Sequence, residues 1–210
     1  MEIFYLDECD STQLYLKSKI QNEGLNGPIL IYTNKQTSGV GSRGNSWIGN
    51  DGNLFFSFAV SKNDLPNDLL VQSASIYFSF LLKEILSEMG SNIWVKWPND
   101  FYLNDLKIGG TITSFVDNYF VCGIGLNLIK TENFGSLDIQ IEPEVLLKKF
   151  ATIVEQKIKW KEVFIKFEIE FCKSRFKYCH SEFGLLDMSQ AILRDDGSIE
   201  INDKKVYSLR

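Results

Sequence analysis

Histidine is nearly absent from this sequence, since His180 is the only one in 210 residues. No serine or cysteine motif lies beside it, which argues against a catalytic triad that depends on histidine. Cysteine is also scarce, and Cys9, Cys122, Cys172 and Cys179 include no Cys-x-x-Cys pair. Cys179 and His180 are adjacent and would make a poor zinc site, so we expect four reduced structural thiols and no metal centre built on them.

Long apolar runs are missing too, and none approaches the roughly 20 residues that cross a bilayer. The N-terminal segment MEIFYLDECDSTQ carries acidic groups where a secretion signal would carry basic ones. Basic residues are fewer than acidic ones, 22 against 27, which gives a net charge of −5 and disfavours a general nucleic-acid binder. We therefore expect a cytoplasmic protein that binds neither membranes nor nucleic acid.

Apolar residues make up 44% of the chain and include 16 phenylalanines, which supply ample material for a core. Their spacing follows a strand period in some segments and a helix period in others. The strand-like segments are 1–8, 29–33, 53–60, 92–97, 100–104, 107–116 and 119–128. Helical spacing covers a segment that ends near residue 24, residues 66–89, and two stretches of 142–182 on either side of about Gln156.

Polar pairs between these segments predict how the chain turns. Asp10 and Gln13 have the spacing of a capping box ahead of the first helix. The expected turns are at Asn104-Asp105, Asp117-Asn118, Asp195-Asp196-Gly197 and Asn202-Asp203. Hairpins outnumber strand–helix–strand units, so we predict an α+β fold in which helices pack on a mixed, mainly antiparallel sheet.

A glycine-rich loop, QTSGVGSRGNSW, occupies residues 36–47. Gly39, Gly41 and Gly44 formally satisfy the dinucleotide fingerprint G-x-G-x-x-G, but a strand and not a helix follows, which disfavours a Rossmann site. Small residues still permit close backbone approach and an anion-binding nest, to which Arg43 adds a cation. A plain surface loop is the alternative.

Residues 95–110, VKWPNDFYLNDLKIGG, contain a turn followed by a single lysine, Lys107, on the returning strand. Gly109 and Gly110 come next, and the following strand carries GIGLN at 123–127. Glycines inside a strand weaken it and often mark the close approach of a ligand or another backbone. Two adjacent strands with this feature indicate a ligand that lies against the sheet.

Together these segments resemble the biotin protein ligase family. The family's Gln-preceded glycine loop, its Lys-Trp-Pro-Asn-Asp, its Lys-[Leu/Ile]-x-Gly strand and its Gly-[Ile/Val]-Gly-[Ile/Leu]-Asn occur here in order, with Asp-Ser-Thr-Gln at 10–13. The resemblance covers about residues 1–180. It implies a fold like that of class II aminoacyl-tRNA synthetases, a catalytic domain over 1–183 and a short C-terminal β segment over 184–210. It also implies a monofunctional form without the N-terminal DNA-binding domain, and hence no repressor activity.

The resemblance implies a two-step reaction. Biotin and ATP form biotinyl-AMP and pyrophosphate, with Mg²⁺ shielding the phosphates, and a lysine of a biotin carboxyl carrier protein then takes the biotinyl group. The implied enzyme is a monomer or a homodimer. The alternatives are a lipoate–protein ligase or octanoyl transferase of the same fold, and a non-catalytic biotin-binding relative.

Site residues follow from matching the family's motifs to this chain. The implied catalytic residues are Lys107 and Arg43. The implied biotin-binding residues are Ser11, Thr12, Gln13, Gln36, Gly39, Gly41, Lys107, Gly109, Gly110 and Gly123. The implied adenylate-binding residues are Val40, Ser42, Arg43, Trp47, Asn99, Lys107, Gly125 and Asn127. Asp100 is the implied magnesium ligand.

The glycine loop departs from the family's pattern. Val40 and Ser42 stand where the family usually has its first two arginines, and Asn45 stands at the position of the last one. Arg43 is retained. Those arginines are thought to order the loop over the adenylate, so the departure predicts weaker retention of the intermediate.

Overall fold

A computed structural model of the chain describes residues 1–24, 27–41, 45–47, 51–130, 134–181 and 184–207. Within these ranges the chain forms four α-helices and twelve β-strands. The helices are α1 (Thr12–Glu23), α2 (Ala74–Glu88), α3 (Pro143–Glu155) and α4 (Trp160–Phe171). The strands are β1 (Glu2–Tyr5), β2 (Ile29–Thr33), β3 (Leu54–Ser61), β4 (Trp94–Lys96), β5 (Asp100–Leu103), β6 (Leu106–Val116), β7 (Tyr119–Leu126), β8 (Tyr178–Ser181), β9 (Gly184–Asp187), β10 (Ile192–Leu193), β11 (Ile199–Ile201) and β12 (Lys204–Val206).

Seven strands form one sheet in the order β1-β2-β3-β7-β6-β5-β4. The β1–β2 pair is parallel and the other five pairs are antiparallel. The expected α+β fold with a mixed, mainly antiparallel sheet is therefore confirmed. The hairpin turns lie where the sequence predicts them, because Asn104, Asp117 and Asn118 adopt positive φ angles of 50°, 46° and 67°. Asparagine and aspartate tolerate this left-handed backbone better than most residues.

Two predicted helix boundaries are wrong. Helix α2 begins at Ala74 and not at residue 66, because short 3₁₀ turns at Lys62–Asp64 and Val71–Ser73 precede it. Leu69 fits the helical spacing because it is buried in the core, not because its backbone is helical. The last predicted helix ends at Phe171, and a 3₁₀ segment and strand β8 replace its final residues.

The start of α1 also differs from the prediction. Ser11 is the N-cap, and its hydroxyl accepts a hydrogen bond from the amide of Leu14 at 3.4 Å. Asp10 instead accepts a hydrogen bond from the hydroxyl of Thr37 at 2.7 Å. Gln13 does not close a capping box, because its side chain lies buried beneath the sheet strands β6 and β7. The local spacing thus identified the helix but assigned its cap one residue too early.

One hydrophobic core fills the space between the sheet and helices α2, α3 and α4. Phe58 contributes edge-on ring contacts to Phe78 at 4.8 Å and to Phe150 at 5.2 Å between centroids. Such aromatic pairs stabilise a core more than the area they bury would by itself.

Among the residues the structure describes, no helix combines the length and apolar character required to cross a membrane.

Strands β8 and β9 form a hairpin, and β10, β11 and β12 form the predicted C-terminal meander. The meander joins the main core through Ile199 and Ile201, and the indole of Trp97 donates a hydrogen bond to the carbonyl of Gly197 at 2.8 Å. The division of the chain into 1–183 and 184–210 stays a prediction.

Helix α4 receives its cap from a distant residue. No side chain at its own N-cap, Lys159, satisfies the first amides, but the carboxylate of Asp68 accepts bonds from Trp160 and Lys161, both at 3.1 Å. We expect Asp68→Ala to lower the free energy of unfolding by about 1–2 kcal/mol, since two amides lose their acceptor and the helix N-terminus loses a favourable charge. Urea denaturation of the variant against the parent measures this, and Asp64→Ala is the control on a neighbouring exposed carboxylate. Equal stability of both variants would contradict the cap.

Candidate active site

Cross-strand pairing places a charged and glycine-rich row on one face of the sheet. Lys96 pairs with Asp100, Asp100 with Gly110, and Gly110 with Gly125. Residues directly opposite each other on antiparallel strands point to the same face. In this row Lys96 and Asp100 carry charged side chains. Gly110 and Gly125 carry none, and they form a flat surface that we call the glycine floor.

Trp47 lies on this floor. A Cβ atom added at Gly125 would stand 2.7 Å from Cε2 of the Trp47 indole, and one at Gly110 would stand 3.6 Å from its Cζ3. The amide of Trp47 donates to the carbonyl of Gly39 at 2.7 Å, which fixes the ring's backbone. The glycines are required because a real Cβ atom at Gly125 would displace the ring.

A cavity of about 270 Å³ opens between the floor, Trp47 and the start of α1. It brings together nearly all the predicted site residues that the structure describes. Those that line it are Ser11, Thr12, Gln13, Gln36, Val40, Gly41, Trp47, Asn99, Asp100, Lys107, Gly110, Gly123, Gly125 and Asn127. These residues come from distant parts of the chain. The fold, and not local structure, therefore brings them together.

Four predicted residues are not among those that line the cavity. Gly39 and Gly109 lie beside it at close backbone contacts: an added Cβ would be 2.7 Å from the Trp47 carbonyl and 2.6 Å from the Gly125 carbonyl, respectively. Ser42 and Arg43 lie outside the described residues. Gly39 and Gly109 thus allow the walls to approach each other.

One end of the cavity is a network of hydroxyl and amide groups. The amide and the hydroxyl of Thr12 donate to Oε1 of Gln36 at 2.8 and 3.0 Å, and the Ser57 hydroxyl donates to Thr12 Oγ1 at 2.7 Å. Thr12 and Ser57 are buried. This end can orient a polar, uncharged ligand group through fixed donors and acceptors. Sequence reasoning missed Ser57, although it is the one hydroxyl inside the apolar segment at 53–60.

The other end of the cavity carries charge. Nζ of Lys107 is 2.6 Å from Oδ1 of Asp100 and lies 5.6 Å above the Trp47 ring. Nζ of Lys96 is 3.6 Å from Oδ2 of the same carboxylate. Sequence reasoning also missed Lys96. Its position directly before the Trp-Pro turn could have identified it. The pair of lysines gives this end a net positive charge, which favours an anionic ligand group.

Asp100 does not fit the predicted role of a magnesium ligand. Both of its oxygens face lysine ammonium groups, and a third cation on the same carboxylate would meet strong repulsion. No cluster of three or more acidic, cysteine or histidine side chains suited to a metal occurs among the described residues. The arrangement fits an ion pair that positions Lys107.

Asparagines close the remaining walls. Nδ2 of Asn53 donates to Oδ1 of Asn127 at 3.3 Å, and Oδ1 of Asn53 accepts from the amides of Leu128 and Ile129 at 2.9 and 3.0 Å. Asn99 donates to the carbonyl of Thr111. These bonds hold the loop after β7 and the turn before β5 in fixed positions.

Three buried polar atoms of cavity-lining residues have no hydrogen-bond partner among the described residues: Oδ1 of Asn99, Nε1 of Trp47 and Oγ1 of Thr111. Buried polar groups are nearly always paired, so each such atom requires an explanation. A ligand or ordered waters that accept from the indole, donate to the amide oxygen and pair with the Thr111 hydroxyl would satisfy all three.

The fold and this site are those of the Biotin/lipoate A/B protein ligase family, to which the chain belongs and whose pattern matches residues 5–127. The structure of biotin acetyl coenzyme A carboxylase synthetase from Helicobacter pylori, solved with bound biotinylated ATP, is 39% identical. The match covers 99% of this chain and 100% of that one with a TM-score of 0.94.

Curated relatives agree over a shorter region. The bifunctional ligase/repressor BirA of Escherichia coli is 31% identical over 130 residues, which are 59% of this chain and 39% of that protein. Biotin–protein ligase 2 of Arabidopsis thaliana is 31% identical over 99 residues, 44% of this chain and 30% of that one. The chain thus spans less than half the length of these relatives.

Proposed function

We propose that this protein joins biotin to a protein lysine at the expense of ATP. A carboxylate oxygen of biotin attacks the α-phosphorus of ATP, the bond to the β-phosphate breaks, and pyrophosphate leaves with that electron pair. A lysine amine then attacks the acyl carbon of biotinyl-AMP, AMP leaves, and the amine proton passes to solvent. The observation that carries the proposal is one cavity that combines an uncharged polar end with a cationic end formed around Lys107.

The polar end suits the uncharged ring of biotin. Thr12, Ser57 and Gln36 offer fixed hydrogen-bonding groups, and Gly123 in the cavity wall beside Ser57 leaves room for an apolar ring and chain. The carboxylate then extends towards Lys107, whose charge offsets the repulsion between carboxylate and α-phosphate. Positioning and charge neutralisation suffice for this chemistry, which needs no histidine or cysteine nucleophile.

The charged end suits the adenylate. Trp47 and Asn99 supply the unpaired indole donor and amide acceptor, while Gly125 and Asn127 form the adjoining wall. Arg43 is part of this proposal from its motif position alone. Magnesium would enter as a complex with ATP, and we assign it no protein ligand because Asp100 is held by two lysines.

The proposed acceptor is a biotin carboxyl carrier protein of a biotin-dependent carboxylase. The relative from Helicobacter pylori is named for such a carboxylase, and its match to this chain is complete in length. The cytoplasmic location and the monomeric or homodimeric state expected from the sequence stay predictions.

A lipoate–protein ligase is the second candidate, because the family includes lipoate enzymes. The fused ring of biotin has a ureido group, which the Thr12–Gln36–Ser57 network can hydrogen-bond, whereas the lipoate ring offers no such group. This polar end therefore favours biotin. The octanoyl chain has no ring or amide that this network could hydrogen-bond, so the polar end also disfavours an octanoyl transferase.

The test is to incubate the protein with ATP, magnesium and either radiolabelled biotin or lipoate. We expect pyrophosphate release and biotinyl-AMP with biotin alone, followed by label on an added carrier domain but not on its Lys→Arg variant. Label from lipoate would support the second candidate. Binding of biotin without pyrophosphate release would identify a non-catalytic relative.

The altered glycine loop makes a separate prediction about the intermediate. Val40 lines the cavity, and the family's arginines at positions 40 and 42 would offer charge-assisted hydrogen bonds worth roughly 1.5–3 kcal/mol each. We expect Val40→Arg with Ser42→Arg to slow the release of biotinyl-AMP by about tenfold or more. Stopped-flow measurement of release without carrier protein provides the rate, and each single variant serves as a comparison. Release as fast as in the parent would mean that another group, such as Arg43, already retains the adenylate.

A further inference from the structure

Lys96 is a largely but not fully buried lysine outside the cavity lining, at the end of the sheet's charged row. Its side chain is only 11% exposed, and its ammonium lies 5.8 Å above the ring of Tyr102. Lysine is almost never buried unless it is paired. Its partner is Asp100, directly opposite on β5.

Asp100 divides its two oxygens between two lysines. Oδ1 faces Lys107 at 2.6 Å and Oδ2 faces Lys96 at 3.6 Å. Burial lowers the pKa of Lys96, while the charge of Asp100 opposes that change. Lys107 is 33% exposed and lines the cavity, so it can exchange partners, whereas Lys96, on the edge strand β4, is 11% exposed and does not line the cavity.

We propose that Lys96 is a positioning residue, which holds Asp100 and shares its negative charge so that Lys107 can leave the carboxylate and bind the substrate anions. The inference rests on the proposed function. In the described residues, Lys107 would be the sole remaining ion-pair partner of Asp100 if Lys96 were neutral. The carboxylate would then compete more strongly with the substrate for Lys107, and adenylate formation would slow.

The test is a double-mutant cycle of Lys96→Met and Asp100→Asn, with pyrophosphate release as the measurement. Methionine keeps the apolar stem over Tyr102 and removes the charge. We expect Lys96→Met to lower kcat by about 10- to 100-fold with the KM for biotin changed less than about twofold, because the polar end is untouched. In the Asp100→Asn background the same change should have less than about a twofold effect, since nothing then competes for Lys107.

Lys83→Met is the matched control, because Lys83 is similarly buried at 14% exposure and paired with Glu84 and Glu170 away from the cavity. It should leave kcat unchanged, and Lys96→Arg should restore at least part of the rate. Equal losses from Lys96→Met in both backgrounds, or no loss at all, would overturn the proposal. So would failure of both Lys96→Met and Lys96→Gln to fold, since Lys96 would then be structural. Absence of biotinyl-AMP in the parent would instead refute the proposed function.

Discussion

Lys107→Ala is expected to fold normally and to lose adenylate formation by two to three orders of magnitude or more. Lys107 is the one lysine or arginine among the described residues that line the cavity, and the proposed function places the biotin carboxylate and the α-phosphate beside it. Removal of a cation that stabilises developing charge in a water-poor site costs roughly 3–4 kcal/mol. Single-turnover formation of biotinyl-AMP measures the loss.

Lys177→Ala provides the control for this experiment. Lys177 pairs with Asp105 at 2.5 Å on the hairpin that carries Lys107, but it does not line the cavity. We expect its replacement to change the rate by less than about twofold, because an ion pair with an exposed partner contributes little. Near-normal adenylation by a folded Lys107→Ala protein would show that the charge of Lys107 is not needed for the reaction.

Gly125→Ala is expected to reduce adenylate formation by about 5- to 150-fold. The new methyl group would lie 2.7–2.9 Å from three atoms of the Trp47 indole, and overpacking of this kind costs about 1–3 kcal/mol. The backbone of Trp47 is fixed by its bond to Gly39, so the ring must tilt away from the floor and into the cavity. Steady-state kinetics with ATP varied at saturating biotin measures the effect.

Two comparisons isolate the contact. With Trp47→Ala in place, Gly125→Ala should cause no further loss, because the ring it displaces is gone. Gly109→Ala should instead lower the thermal unfolding temperature, since its methyl group would meet the backbone carbonyl of Gly125 at 2.6 Å and a backbone cannot rotate away. If Gly125→Ala loses stability as Gly109→Ala does but keeps its rate, the glycine serves the sheet and not the site.

The sequence alone predicted most of the sheet because its signals are local. Period-two apolar spacing and turn residues such as Asn104 and Asp117 act within a few residues of the chain. The glycines of β6 and β7 were recognisable as points of close approach for the same reason, and the Trp47 ring lies against Gly110 and Gly125. The start of α2 was not predictable, because Leu65 and Leu69 are apolar for burial in a core that the distant helix α4 helps to form.

The tertiary structure decided which side chains work together. Strand β6 contains one extra residue opposite β5, so that Tyr102 faces Lys107 while Phe101 faces Gly109. A regular strand would place Lys107 on the face of Gly109, which lies against Phe101 and Leu126 of the core. The bulge turns the lysine to the face of Asp100, as bulges beside active sites often do.

Sequence thus determined most of the strands, the hairpin turns and many of the residues that line the cavity. The tertiary structure alone decided that Ser57 completes the polar end and that Lys96 shares Asp100 with Lys107. The contact of Ser57 with Thr12 joins residues far apart in the chain, and Lys96, Asp100 and Lys107 meet through the register of strands β4, β5 and β6. Register is set by the packing of the whole sheet, and no local pattern at either residue encodes it.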